Sequence, residues 1–256
     1  MTQIDLTPAQ ERERAYEYFR AVLAVHTAAI HAFELVPALP DVTDLLATNV
    51  RLRKGLDTVS ADSAIHHAVA MRETMEAEKG RNFEVIRGSA LIAVCGAFEY
   101  LLKATFVDQA LSDPKAAATL LSAAKHKISL TDFLGTTPIE QWYLIAESLL
   151  VSFTERSRLL QAERWLMEYI HLPDRDMLIP RFQKVFNELD RSKFDEAFLI
   201  RSCLVHNGGR VDRSLALQTR RVQGARIGLG DGTLGPLLAP LQTLADQLDL
   251  LWLGVL

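Results

Sequence analysis

Residues 89–107, SALIAVCGAFEYLLKATFV, form a run that is apolar on nearly every face of a helix. Such a helix must be surrounded by other protein elements, so the rest of the chain has to supply helices that pack around it. A bilayer span is the rival reading, but Glu99 and Lys103 fall inside the run at i,i+4 and would be costly in hydrocarbon. The 49% hydrophobic content is enough for a sizeable core. Only 13 Gly and 9 Pro punctuate 256 residues, and no Pro falls between Pro40 and Pro114, which argues against a turn-rich sandwich or barrel. The expectation is an all-α fold, an up-and-down helical bundle.

The flanking segments read as its neighbours. Thr7-Pro8 with Gln10 and Glu11 opens a helix to about residue 36, with Tyr16, Phe19, Leu23, His26, Ile30 and Phe33 on one stripe and Pro37 and Pro40 at its end. Residues 41–57 and 60–79 read as two shorter amphipathic helices, and Ser112-Asp113-Pro114 starts another to about 127. Thr137-Pro138-x-Glu140 opens a long pattern reaching towards His171, broken by Pro173 and Pro180. Residues 182–189 and 194–206 form two more helices, the second stopped by Asn207-Gly208-Gly209, where left-handed backbone can cap it. Seven glycines lie between Gly208 and Gly235, so this span reads as loop with a short β-hairpin around VQGARIGLGDG, followed by a last apolar helix from Pro236 to about residue 253. The partition is an N-terminal helical extension, 1–80, packing on a helical domain, 81–256.

Composition narrows the chemistry. With 28 Lys plus Arg against 32 Asp plus Glu, the net charge of −4 gives no general attraction to nucleic acid or to anionic membrane, so any such attraction must be local. Cys95 and Cys203 sit singly in apolar runs and read as small buried hydrophobes, without a disulfide framework or thiolate metal site. The N-terminus lacks the basic-then-apolar order of a signal peptide, which leads us to expect a cytoplasmic protein. His66 and His67 are adjacent and His26 and His31 five apart, neither the i,i+4 spacing a helical metal pair requires, so no metal or other cofactor is expected. GLGDGTLG lacks the preceding strand of a dinucleotide fold and the Gly-Lys-Ser/Thr of a phosphate loop.

One helix carries the chemical signal. On a wheel of EAFLIRSCLVHNGG, Phe194, Phe198, Arg201 and Val205 fall within about 60° of each other, which places Arg201 in an apolar stripe. A guanidinium keeps its charge, so there it must meet a carboxylate, a phosphate or water. His206 points about 140° away and lies about 7.5 Å further along the axis, so one helix alone does not easily bring the two together. Two copies crossing about a two-fold axis do. Glu99 needs a counter-charge in the most apolar helix; spacing leaves Arg201 and Lys103 as equal alternatives. Spacing alone favours the plainer reading, in which Arg201 is an ordinary salt-bridge partner and His206 a group at the end of a helix dipole.

The string Arg201-Ser202-Cys203-Leu204-Val205-His206-Asn207-Gly208-Gly209-Arg210-Val211-Asp212 resembles the Arg-x4–6-His signature of the HEPN superfamily. The resemblance extends to the apolar helix with its central Glu99, and to the order of signature, glycine segment and final helix. It covers roughly residue 85 to the end. It implies a HEPN-like bundle that forms a homodimer and acts as a metal-independent ribonuclease, in a chain where Glu99 and Lys103 already argue against membrane association. Arg201 would hold the scissile phosphate and His206 would act as acid or base at the 2'-hydroxyl; Glu99, by its need for a counter-charge, is the candidate third member, and Asn207 either touches the phosphate or, the safer reading, caps the helix. The products would be a 2',3'-cyclic phosphate and a 5'-hydroxyl. Ser202, a candidate RNA contact, departs from the larger polar residue usual after the Arg, a departure consistent with weaker or absent nuclease activity. Arg210, Arg213, Arg220, Arg221 and Arg226 make a local basic patch in an acidic protein, suited to RNA or equally an ordinary solvated loop, since no aromatic residue is interleaved to stack bases. The resemblance also implies the setting of a toxin or phage-defence effector, with a protein antitoxin or regulator as partner. The alternative is a catalytically silent HEPN-like module that binds RNA, a nucleotide or a protein.

Overall fold

The structure is a computed structural model, and it describes residues 7–35, 76–112, 134–152, 175–230 and 232–252, with residues 63, 66, 69, 70, 73, 74 and 163. These form helices α1 (Pro8–Leu35), α2 (Glu84–Ser112), α3 (Pro138–Ser152), α4 (Arg175–Glu188), α5 (Arg191–His206), α6 (Arg213–Gln218) and α7 (Leu234–Trp252). No strand occurs among them, so the described chain is all-α. The helices expected at 41–57 and 114–127, and the reach past residue 152 of the long pattern opened by Thr137, lie outside the described residues, apart from the isolated residue 163. Residues 76–80 are helical and stop at Gly80 before a turn over 81–83, as the glycine predicts.

The apolar helix α2 is the axis of the packing, and α1, α3, α5 and α7 all rest on it. The buried positions Ala90, Leu91, Val94, Cys95, Phe98, Leu101, Leu102 and Phe106 fall within about 160° on a wheel, and the sequence shows little amphipathicity because residues on the other side, such as Val85, Ile92 and Gly96, are also small or apolar. By length and composition the stretch Glu84–Asp108 would cross a bilayer, but 67% of its most apolar window is buried inside the structure. Phe98 sits at the crossing point, edge-on to Phe19 of α1 (5.9 Å between ring centroids) and to Phe194 of α5 (5.6 Å).

Helix directions follow from residue pairs. Glu11 and Arg12 near the start of α1 meet Tyr100 and Asp108 of α2 through the Tyr100 hydroxyl and the Arg12 guanidinium, so α1 runs antiparallel to α2. Tyr16 donates to Asp246 of α7 at 3.0 Å, and the other end of α1 lies beside Leu234 and Leu238. Gly88 of α2 lies under Leu204, while Phe98 meets Phe194, so α5 is also antiparallel to α2. Capping-box residues begin two of these helices where expected. Thr7 Oγ1 accepts from the Gln10 N–H at 3.3 Å, and Thr137 Oγ1 accepts from the Glu140 N–H at 3.4 Å.

Two details differ from the sequence expectation. Pro180 was expected to break the chain ahead of residue 182; instead it is the sixth residue of α4, forgoing a bond to the Asp176 carbonyl without ending the helix. The hairpin expected within VQGARIGLGDG is also absent from the described residues. Residues 209–211 pair across α6 with 224–227, giving a single antiparallel bridge between Arg210 and Arg226. Its bonds run from Val211 N to Ala225 O (2.9 Å), Gly224 N to Val211 O (2.8 Å) and Ile227 N to Gly209 O (2.9 Å). Asp212 explains the rearrangement, since its carboxylate accepts from Leu215 N at 2.7 Å and starts α6 where unbroken loop was expected.

Candidate functional site

The helix that carries Arg201 and His206 is built from both ends. Asp190 caps its start, accepting from Lys193 N–H (3.1 Å) and the Ser192 hydroxyl (2.7 Å). At its end, Asn207 N and Gly209 N both donate to Cys203 O, at 3.0 and 3.1 Å, and Gly208 and Gly209 take φ of 57° and 73°. Asn207 itself keeps negative φ, so the left-handed residues are the glycines. This closure makes His206 the last residue of the helix and leaves its ring exposed.

Phe194, Ala197, Phe198, Ile200 and Cys203 bury α5 against the core. One turn past Phe198 the same face is no longer covered. Arg201 is 29% exposed along its side chain and Val205 47% exposed. There the Arg201 Nη2 stands 3.5 Å from Glu99 Oε2, and the Glu99 side chain is 30% exposed. Of the two counter-charges that spacing allowed Glu99, antiparallel packing of α2 on α5 brings up Arg201. The contact is long and one-pronged. Arg201 Nε is buried and makes no hydrogen bond among the described residues, so the guanidinium keeps a donor unused. Cys95, one turn before Glu99, lies within the field of both charges. Burial pushes its thiol far above the ordinary range, the Glu99 charge adds to this and Arg201 opposes it, so Cys95 stays a protonated core residue.

The expected residues do not all converge. Glu99 and Arg201 meet across two helices, whereas no hydrogen bond or ion pair joins His206 to either. Asn207 is exposed at the cap and Ser202 is half-buried. On α2, Val85, Ser89, Ile92, Gly96 and Glu99 fall within about 80° on a wheel. Val85 is 56% exposed, and a side chain built at Gly96 would meet nothing within 4 Å. The face beside Arg201 is therefore a partly open strip of small and apolar groups.

The basic segment divides in two. Arg210, Arg213 and Arg220 are exposed, and Arg210 Nη1 donates to Gly224 O at 3.1 Å. Arg221 instead folds back onto α5, its Nη2 3.1 Å from Glu196 Oε1, while Lys193 Nζ approaches the other oxygen at 2.7 Å. Burial raises the Glu196 carboxyl, but these two cations outweigh it and hold the group below the usual carboxylate range. Sequence reading missed this clamp. Its only local sign was the i,i+3 pair Lys193 and Glu196. No group of three His, Cys, Asp or Glu side chains among the described residues is placed to hold a metal ion. No family model, no curated protein and no solved structure matches the chain.

Proposed function

We propose that the chain is a homodimeric, metal-independent endoribonuclease of the HEPN type, with Arg201 and His206 of different subunits forming each half of a shared cleft. The observation that supports this best is the Glu99–Arg201 pair, held between two core helices yet open on one side and bordered by the strip from Val85 to Gly96. A second copy laid on that strip buries apolar surface and brings its exposed His206 towards Arg201. Arg201 has a fixed charge, a partly exposed guanidinium and only a long, one-pronged contact to Glu99, which suits it to a phosphate oxygen. His206 accepts the proton of the 2'-hydroxyl as its oxygen attacks phosphorus, and a proton is returned to the departing 5'-oxygen. The bond to the 5'-oxygen breaks as the 2',3'-cyclic phosphate forms. Arg210, Arg213 and Arg220 supply exposed charge along the strand's path, with Arg221 already engaged by Glu196. The setting of a toxin or defence effector, and a protein antitoxin, rest on the signature alone.

A second reading has its own support: Glu99 already compensates Arg201, as a purely structural tie would. Incubating the protein with mixed RNA in EDTA beside His206→Ala separates them. Cleavage by wild type alone supports the enzyme. Bound but uncut RNA supports a silent binding module, and neither outcome leaves the structural tie.

A further inference from the structure

The bridge between Arg210 and Arg226 sets two arginines directly opposite each other. The bonds on either side of it, Val211 N to Ala225 O and Ile227 N to Gly209 O, make it the narrow, non-hydrogen-bonded kind of antiparallel pair. In such a pair the Cβ atoms stand about 4.5–5.5 Å apart and both side chains leave the same face, so two like charges there work against the pairing. Both arginines are exposed. The carboxylates closest in the chain path are turned elsewhere. Asp212 accepts from Leu215 N at 2.7 Å, Glu84 Oε1 stands over Gly228, 3.5 Å from a Cβ built there, and Glu196 takes Arg221. Among the described residues no carboxylate pairs with Arg210, Arg213, Arg220 or Arg226. Arg210 Nη1 donates to Gly224 O at 3.1 Å, which steadies its guanidinium through one of five donors and leaves the others. Gly208 and Gly224, each two residues before one of the arginines, take φ of 57° and 81°, and a Cβ built at either meets nothing within 4 Å, so the space beside the pair is open.

Two fixed charges held side by side by the backbone, without a counter-ion, suit one anion that bridges them, and a phosphate presents oxygens to a guanidinium fork on either side. We propose that Arg210 and Arg226 together clamp a single backbone phosphate of single-stranded RNA, while Arg213 and Arg220 meet separate phosphates. The proposal rests on RNA being the ligand, as read above, but not on RNA being cut. The pair lies beyond the closure of α5, with Arg210 four residues after His206, so the clamp positions the strand and takes no part in the chemistry. No aromatic residue occurs between Gly208 and Gly235 to stack a base, so the grip is on the backbone and indifferent to sequence.

Fluorescence anisotropy of the whole protein with a 2'-O-methyl oligonucleotide, which lacks the attacking hydroxyl and stays uncut, tests the clamp apart from the nuclease. Arg210→Gln, Arg226→Gln and the double variant should each bind at least fivefold more weakly and each flatten the log affinity–log salt slope by about 0.7, because the same one phosphate is lost in all three. Arg226→Glu should bind more than tenfold more weakly yet melt no lower than wild type, since it turns the repulsion across the bridge into attraction to Arg210. A change of about 1.4 in the double variant would mean two separate phosphates and overturns the clamp. Wild-type affinity in Arg226→Gln, a lower Tm for Arg226→Glu, or wild-type binding weaker than about 100 μM does the same. So does equal affinity for poly-glutamate of the same charge, which would mark a surface for acidic peptide. Three equal slopes from a protein that leaves ordinary RNA intact would keep the clamp and remove only the ribonuclease reading.

Discussion

Replacing Glu99 by Gln should destabilise the chain through Arg201, and the structure sets the size. At the 3.5 Å separation of the pair, two unit charges in an effective dielectric of 20 attract by about 4–5 kcal/mol before desolvation. Nearly a third of each side chain is exposed, so solvent screens most of this, and exposed pairs measured in isolation contribute roughly 0.2–1 kcal/mol. The cost should sit near the top of that range, because the substitution leaves Arg201 Nε buried and the guanidinium without a full counter-charge. Arg201→Met should cost less, since Glu99 can turn its carboxylate to water. In a double-mutant cycle by urea denaturation at constant m, the coupling energy should be about 1 kcal/mol. That corresponds to about 2–4 °C in Tm. Coupling below about 0.3 kcal/mol would mean that the two charges do not sense each other and that α2 and α5 are joined by apolar packing alone.

Phe98→Ala, which empties the ring cluster shared by α1, α2 and α5, should cost about 3–5 kcal/mol in the same denaturation assay. Glu196, whose carboxyl is held below its ordinary value by Lys193 and Arg221 against the effect of burial, contributes stability that is fully present above the unfolded value of about 4.3. That contribution is lost as pH falls through the folded value. Glu196→Gln should therefore flatten the acid limb of a stability–pH curve while lowering the plateau at neutral pH. If the basic segment contacts RNA, neutralising Arg210, Arg213 or Arg220 should each flatten the log affinity–log salt slope by about 0.7 for a single strand. Arg221, tied to Glu196, should change it less, and equal slopes for all four would contradict that division.

The central helix, the start of α1 and the stop at Asn207 were legible because each is written locally, in an apolar run, a capping box or a pair of glycines. Glu99 was different. Its spacing allowed Lys103 and Arg201 equally, and only the antiparallel approach of α2 and α5 shows that it meets Arg201. The glycine segment misled for a related reason. Turn signals suggested pairing within 222–232, but the partner of 224–227 is 209–211 on the other side of α6, and a short helix begun by one Asp cap carries little periodicity to announce it. Pro180 shows a tertiary override of a breaker, and the Arg221–Glu196 clamp joins residues 25 apart. Arg201 was marked for attention by its place in an apolar stripe. Which anion it serves is a question of chemistry that spacing does not answer.

Subunit mixing tests the shared site most directly. Arg201→Ala homodimers would lack the phosphate contact and His206→Ala homodimers the proton-transfer group, each losing about two to four orders of magnitude in rate. Heterodimers formed by exchange would place both defects in one half-site and leave the other with the Arg of one chain beside the His of its neighbour. The account predicts that RNA cleavage returns on mixing, once differently tagged chains demonstrate exchange. Activity fixed at the single-mutant level despite exchange, or a monomer by sedimentation that still cuts RNA, would contradict it.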